Sequence, residues 1–245
     1  MSPHRFHVPA AAPGARVTLP EHAAHHARDV LRLRTGASVH VFDGAGREWE
    51  AVLDEVSRRT VSAHLLHVAS ARPESPLHLV LAVAVLKGDR MELVLQKATE
   101  LGVVELWPVV TLRTDAAARP ALQGSRSERW ERVASGAAEQ CGRAVVPRIA
   151  PTTTLDGLLE RPWSGARVVL LETPGHAALS SLAVDAASPL LLLVGPAGGF
   201  EPAEAGALLA AGFAAASLGP RVLRAETAAV VAATIAQAMW GDLRS

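Results

Sequence analysis

From residue 79 onward the chain alternates uninterrupted apolar runs with stretches of helical periodicity, and this alternation constrains the fold more than any other feature. LVLAVAVL (79–86) carries no polar residue, so it suits a strand covered on both faces rather than one with a wet side. DRMELVLQKATELG (89–102) follows, with Met91, Val94 or Leu95, Ala98 and Leu101 at helical spacing and Gly102 where a C-terminal cap belongs. The alternation continues through VELWPVV (104–110), a helix over 127–141, RVVLLE (167–172), LLLLV (190–194) and a helix over 202–211. AAASL (214–218) and a helix over 226–240 close it. Strands separated by helices imply crossover connections, hence an α/β domain with a mainly parallel sheet.

Upstream the pattern changes. PEHAAHHARDVLRLR (20–34) reads as a helix, VHVFDG (39–44) and REWEAVLDEV (47–56) as a hairpin, and TVSAHLLHVA (60–69) as a third extended run. One helix beside short strands suggests a small β-barrel module. RPESP (72–76) reads as a linker, dividing the chain into 1–71 and 77–245.

Charge is balanced, 24 Lys+Arg against 24 Asp+Glu, which argues against a polybasic nucleic-acid binder. The single cysteine, Cys141, excludes an intramolecular disulfide and a Cys-based zinc site. His22, His25 and His26 share one helix face, but without a neighbouring Cys or an H-E-x-x-H pattern no metal site is expected. The start has no apolar signal core and no window suits a membrane span, so a cytoplasmic protein is expected, with no membrane partner.

The stretches that carry chemistry are two loops, each between a strand and a helix. LLLLV runs into GPAGGFEPAE, where Gly195, Gly198 and Gly199 permit positive φ or a close ligand. Neither the nucleoside-triphosphate loop pattern nor G-x-G-x-x-G is present. A tight strand-to-helix turn accounts for these glycines as well as a ligand does. SLGPRVLRAETAA (217–229) repeats the arrangement, with Arg221 and Arg224 ahead of Glu226 and Thr227 at the opening of the last helix. A capped helix with an ion pair is one reading of that cluster. Two such loops after adjacent strands could also line one crevice at the carboxyl ends of the sheet.

VGPAGGFEPAE and LGPRVLRAETA resemble the two C-terminal motifs of the RsmE-type 16S rRNA uridine N3-methyltransferases of the SPOUT superfamily. KGDRMELVLQKATELGV (87–103), AAEQCGRAVVPRI (137–149) and HHARDVLRLRTGASVHVFDG (25–44) resemble three further blocks of that family, in the same order along the chain. The resemblance implies a PUA-like N-terminal β-barrel and a SPOUT α/β domain with a deep trefoil knot. It implies S-adenosylmethionine (SAM) in the knot, 16S rRNA or the assembled small ribosomal subunit as partner, and a homodimer with active sites at the subunit interface. Ala197 stands where the family usually carries Glu, and Ala225 where Thr is commoner.

Residue expectations follow from the resemblance. SAM is expected against Leu171, Glu172, Val194, Gly195, Pro196, Gly198 and Gly199 from two strand ends. Leu218, Gly219, Val222, Leu223 and Thr227 complete that set, with Glu172 suited to the ribose hydroxyls. Arg224 and Glu226, with Arg221 as an equally placed alternative, are expected to handle the N3 proton and the charge developing on the uracil oxygens. Arg28, Arg32, Arg34, Lys87, Arg90 and Arg143 are expected to meet RNA. A non-catalytic RNA-binding relative, or a SPOUT enzyme methylating another RNA atom, is the alternative.

Overall fold

The computed structural model describes residues 3–9, 11–12, 14–124 and 126–243. The chain forms two compact units, one of Met1–Glu74 with Ser135–Val146, the other of Ser75–Ala134 with Pro147–Ser245. They part inside the expected linker, but residues 135–146 belong with the first unit, so a division into 1–71 and 77–245 does not describe that stretch.

In the first unit, β1 (His4–His7) and β2 (Arg16–Thr18) precede α1 (Glu21–His25), which continues as a π-helical turn over His26–Val30. β3 (Ser38–Phe42), β4 (Glu48–Val56) and β5 (Val61–Ala69) form the expected antiparallel meander. The sheet order is β1-β3-β4-β5-β2, with β1 parallel to β3. The pairings among the described residues are an open path; the expected barrel is not closed by a β1–β2 ladder. The helix expected over 20–34 ends at Val30, and Arg32 takes a left-handed φ of 53°.

Arg5, in a buried ion pair with Glu48, also bonds residues 135–146 within this unit. Arg5 donates to both carboxylate oxygens of Glu48 (3.0 and 2.8 Å) and to the carbonyls of Ala138 (2.9 Å) and Arg143 (3.0 Å). Glu139 accepts the backbone N–H of His7 at 2.9 Å. Burial pushes the Glu139 carboxyl up to about 7, outweighing the His7 N–H and the Arg5 charge.

Because the folded value lies above the ordinary 4.5, the folded protein binds more protons between the two. Glu139 therefore stabilises the fold fully at low pH and loses that contribution as pH rises through about 7. His7 slopes the other way: burial lowers its pKa from 6.5, so its contribution is lost as pH falls below that value. Above pH 6.5 the profile reports Glu139. Glu139→Gln, which cannot ionise, is expected to gain on the order of 2 kcal/mol over wild type at pH 8 and to flatten the stability profile from pH 6.5 to 8. Denaturant titrations at both pH values check this, and parallel profiles would refute it.

The second unit begins with β6 (Leu79–Ala84), α2 (Asp89–Glu100) and β7 (Glu105–Val110). α3 (Ser127–Cys141) follows, its later part counted in the first unit, then β8 (Arg148–Ile149), β9 (Thr153–Thr154) and α4 (Leu155–Leu159). β10 (Ala166–Leu170), β11 (Ala177–Ala178), β12 (Leu190–Val194), α5 (Pro202–Ala210), β13 (Ala214–Ser217) and α6 (Ala225–Trp240) complete it. The path is β11-β13-β10-β12-β6-β7-β8, with β9 also on β7, and every pairing is parallel.

The apolar runs behave as covered strands should. In β6, Leu79, Leu81 and Val83 enter one core with α2 and α6, while Val80 and Ala82 enter another with α4 and α5. β12 splits likewise, Leu190, Leu192 and Val194 against Leu191 and Leu193. α6 presents Ala225, Ala229, Ala232, Ala233 and Ala236, small residues that let its backbone lie close to the sheet. Pro108, which has no N–H to give a ladder, falls where β7 lacks a partner between β8 and β9. No helix among the described residues is long and apolar enough to cross a membrane.

One crossing departs from ordinary α/β topology. β13 inserts between β10 and β11, two strands that precede it in the chain. The segment 171–176 joining those two strands thus passes the carboxyl end of β13, where the chain leads on to α6.

Candidate active site at the carboxyl edge of the sheet

Parallel pairing places the site. Leu170 is in register with Val194 and with Ala216, so the loops after β10, β12 and β13 start side by side. Val83 is in register with Val194 and Pro108, which brings the turns after β6 and β7 to the same edge. A cavity of about 740 Å³ opens there, inside the range of roughly 300–1,000 Å³ usual for small-molecule sites.

Its walls are the two glycine loops and the 171–176 arch. Leu171 and Glu172 come from the arch; Val194, Gly195, Pro196, Gly198 and Gly199 from the first loop; Leu218, Gly219, Val222 and Leu223 from the second. Every cofactor contact expected from the sequence therefore lines it except Thr227, which is exposed on the first turn of α6 and outside the cavity wall. Helical rotation explains this: Ala225 and Ala228 of α6 face the cavity and Thr227 points elsewhere.

The glycines serve different ends. Gly199 and Gly219 adopt φ of 69° and 111°, which side-chain-bearing residues rarely do. At Gly195 the constraint is packing: a Cβ there would lie 2.8 Å from the Phe200 ring, which folds back over the loop. The loop closes through the Gly199 N–H to the Pro196 carbonyl (2.9 Å). It ends in a capping box, with Glu201 and Glu204 each accepting from the other's backbone at the start of α5. Ala197 is exposed and outside the cavity wall, so the carboxylate missing at this position is not missing from the cavity.

Chemically, the cavity combines aliphatic walls with one carboxylate, Glu172, whose Oε2 would lie 3.9 Å from a Cβ at Gly199. Phe200 of the first glycine loop also lines it, as do Arg113, Thr173 and His176, which no sequence motif marks for that place. Thr173 Oγ1 and His176 Nε2, 2.8 Å apart, close the arch. This donor set fits SAM: apolar faces for adenine, backbone groups at positive-φ glycines, and a carboxylate for hydroxyls or cationic charge.

Arg221 lines the cavity; Arg224 and Glu226 do not, lying instead at the start of α6. Arg221 and Arg224 are exposed, whereas Glu226 is buried. Its ionic neighbour is Arg90, at 3.8 Å, beyond hydrogen-bond length. Lys87 is exposed on the turn entering α2 and Arg90 is exposed in its first turn. Thus Arg90 and Glu226 are brought together.

The expected RNA contacts of the first unit are less uniform. Arg32 and Arg34 are exposed. Arg28 is tied to Asp29 (2.7 Å) and to the carbonyls of Ser57 and Arg58. Arg143 is buried, with its Nε 2.9 Å from Glu74, which leaves it no face for phosphate. Of the histidines considered for zinc, His25 pairs with Asp29 at 2.7 Å.

A family model described as an RNA methyltransferase domain matches residues 73–237, and one described as an RNA methyltransferase PUA domain matches 19–66. The ribosomal RNA small subunit methyltransferase E of a Synechocystis species is 34% identical over 223 residues, 89% of this chain and 71% of that protein. Its namesake in Bacillus subtilis is 30% identical, covering 85% of this chain and 84% of that one. A Legionella pneumophila protein solved with bound SAM aligns with a TM-score of 0.93 and 33% identity, covering 99% of this chain and all of that one. The ribosomal RNA small subunit methyltransferase E of Neisseria gonorrhoeae, solved with S-adenosyl methionine, gives 0.87 and 32%, again covering 99% of this chain and all of that one.

Proposed function

The chain belongs to the ribosomal RNA small subunit methyltransferase E family, and from that premise we propose that it methylates N3 of a uridine in small-subunit (16S) ribosomal RNA, using SAM. The observation that carries the reading is the cavity at the carboxyl edge, where both glycine loops meet the 171–176 arch. The insertion of β13 between earlier strands supports reading the crossing as the SPOUT trefoil knot. A homodimer and a cytoplasmic setting belong to the same proposal, as does RNA positioning by the N-terminal unit.

Bound SAM supplies an electrophilic methyl group. The loops around Gly199 and Gly219 would hold the cofactor through backbone groups, with Glu172 available to its hydroxyls. Uridine N3 carries a proton at neutral pH, so attack requires its removal. Glu226 accepts it, and Arg224, or Arg221 at the cavity wall, stabilises charge spreading to O2 and O4. Once deprotonated, N3 is the nucleophile for the methyl group that SAM would supply, and Glu226 returns its proton to water. Lys87, Arg90, Arg32 and Arg34 contact the RNA backbone.

The test is methyl transfer from labelled SAM to small subunits of a strain lacking this protein, followed by nucleoside analysis. Label in 3-methyluridine is expected. Label in another nucleoside would leave a SPOUT methyltransferase of different target, and SAM binding without label would favour a non-catalytic RNA-binding relative.

A further inference from the structure

We propose that Arg113 is a positioning residue for the cofactor loop: projected from the turn after β7, it latches the glycine loop after β12 in its SAM-binding shape. The inference rests on the methyltransferase reading above and adds a residue to it.

β7 and β12 are not neighbours in the sheet, since β6 lies between them. The latch crosses that gap. Arg113 Nη1 donates to the carbonyl of Gly198 at 2.6 Å, and Nε donates to Glu201 at 2.8 Å. One residue earlier, the Leu112 N–H donates to Glu204 at 2.8 Å, and the other Glu204 oxygen accepts the Glu201 N–H at 3.0 Å. Two consecutive residues thus grip both ends of the 198–204 segment.

The turn that carries Arg113 is itself fixed. The Thr111 N–H donates to Thr114 Oγ1 (2.9 Å), the Thr114 N–H donates to the Thr111 carbonyl (3.1 Å), and both threonines are buried. Gly198 fits closely against the latch, since a Cβ there would lie 3.4 Å from Arg113 Cδ. Arg113 also lines the cavity, whereas Ala197 does not. The loop is therefore shaped from β7, which explains how the site accommodates alanine at 197.

The Arg113–Glu201 pair is partly solvent-exposed, at 43% and 39%. Exposed pairs contribute little to global stability. The effect is expected in loop population instead. If loss of the latch leaves the binding-competent loop about one-tenth populated, SAM affinity falls about tenfold.

Calorimetry with SAM alone, on the full chain, tests this without RNA. Arg113→Ala is expected to raise the SAM Kd about tenfold with an unchanged melting temperature, and to raise KM for SAM more than it lowers kcat. Arg113→Lys, a point charge unable to span both acceptors, is expected to recover part of the loss. The Arg113→Ala/Glu201→Ala double variant is expected to lose less than the two single losses summed, because the contact they share can be lost only once. Wild-type affinity in Arg113→Ala, or additive losses in the double variant, would overturn the latch alone. Wild-type protein that binds no SAM would overturn the methyltransferase reading, and the latch with it.

Discussion

Glu226→Gln is expected to slow single-turnover methyl transfer by at least about 100-fold while leaving the SAM Kd unchanged. The side chain sits in the first turn of a sixteen-residue helix and is 8% exposed. Arg90 at 3.8 Å is too far to saturate its oxygens, so acceptor capacity stays open. Ala225 and Ala228, on either side of it in sequence, face the cofactor cavity, yet Glu226 does not line that cavity. On the proposed reading, a carboxylate beside this cavity but not around it suits a group that meets the incoming base. Glutamine keeps the shape and one acceptor and removes the basicity, so a loss in rate without a loss in binding isolates proton transfer. Quenched-flow transfer at saturating SAM makes the measurement, and a rate within threefold of wild type would remove Glu226 from the mechanism.

Much of this site is legible in the amino-acid sequence, for a definite physical reason. A strand covered on both faces must be apolar at every position, so LVLAVAVL and LLLLV announce themselves, and parallel strands send their following loops to one edge. The glycines marking those loops are visible in the sequence, and that is why nearly all the expected cofactor contacts line one cavity. What stays hidden depends on long-range pairing. Nothing local in AAASL says that its strand inserts between β10 and β11. Arg113 lies 85 residues from the carbonyl it holds, so spacing carries no signal of it. HRFH and RVT are too short to show alternation, which hides β1 and β2. Arg143 looks like any arginine in a basic stretch until Glu74, 69 residues away, takes its guanidinium.

A second arginine of the first unit, Arg5, is also held in a buried ion pair. Arg5→Ala is expected to destabilise the first unit by about 3–5 kcal/mol, the cost typical of breaking a buried pair by removing one partner. Arg5 and Glu48 have side chains only 9% and 6% exposed. The guanidinium lies 4.7 Å from the Phe42 ring centre, and His40 contacts the same Glu48 oxygen that Arg5 Nε reaches, at 2.7 Å. Burial by itself would raise the Glu48 pKa, but hydrogen bonds from Arg5 and then His40 hold it below the usual carboxylate range. Without Arg5, Glu48 is left buried with one histidine, the Arg143 carbonyl loses its Arg5 donor, and the Ala138 carbonyl is left with the Gly142 N–H (3.1 Å) and the Cys141 thiol. Replacing both charges, as in Arg5→Met/Glu48→Leu, is expected to lose less than Arg5→Ala, because the orphaned carboxylate disappears along with its partner. Hydrogen exchange of peptides from β4 reports this unit directly. If Arg5→Ala opens it by less than about 1 kcal/mol, the pair belongs with ordinary surface contacts. A loss in the expected range, larger than in the double variant, would mean that these contacts secure residues 135–146 in the first unit.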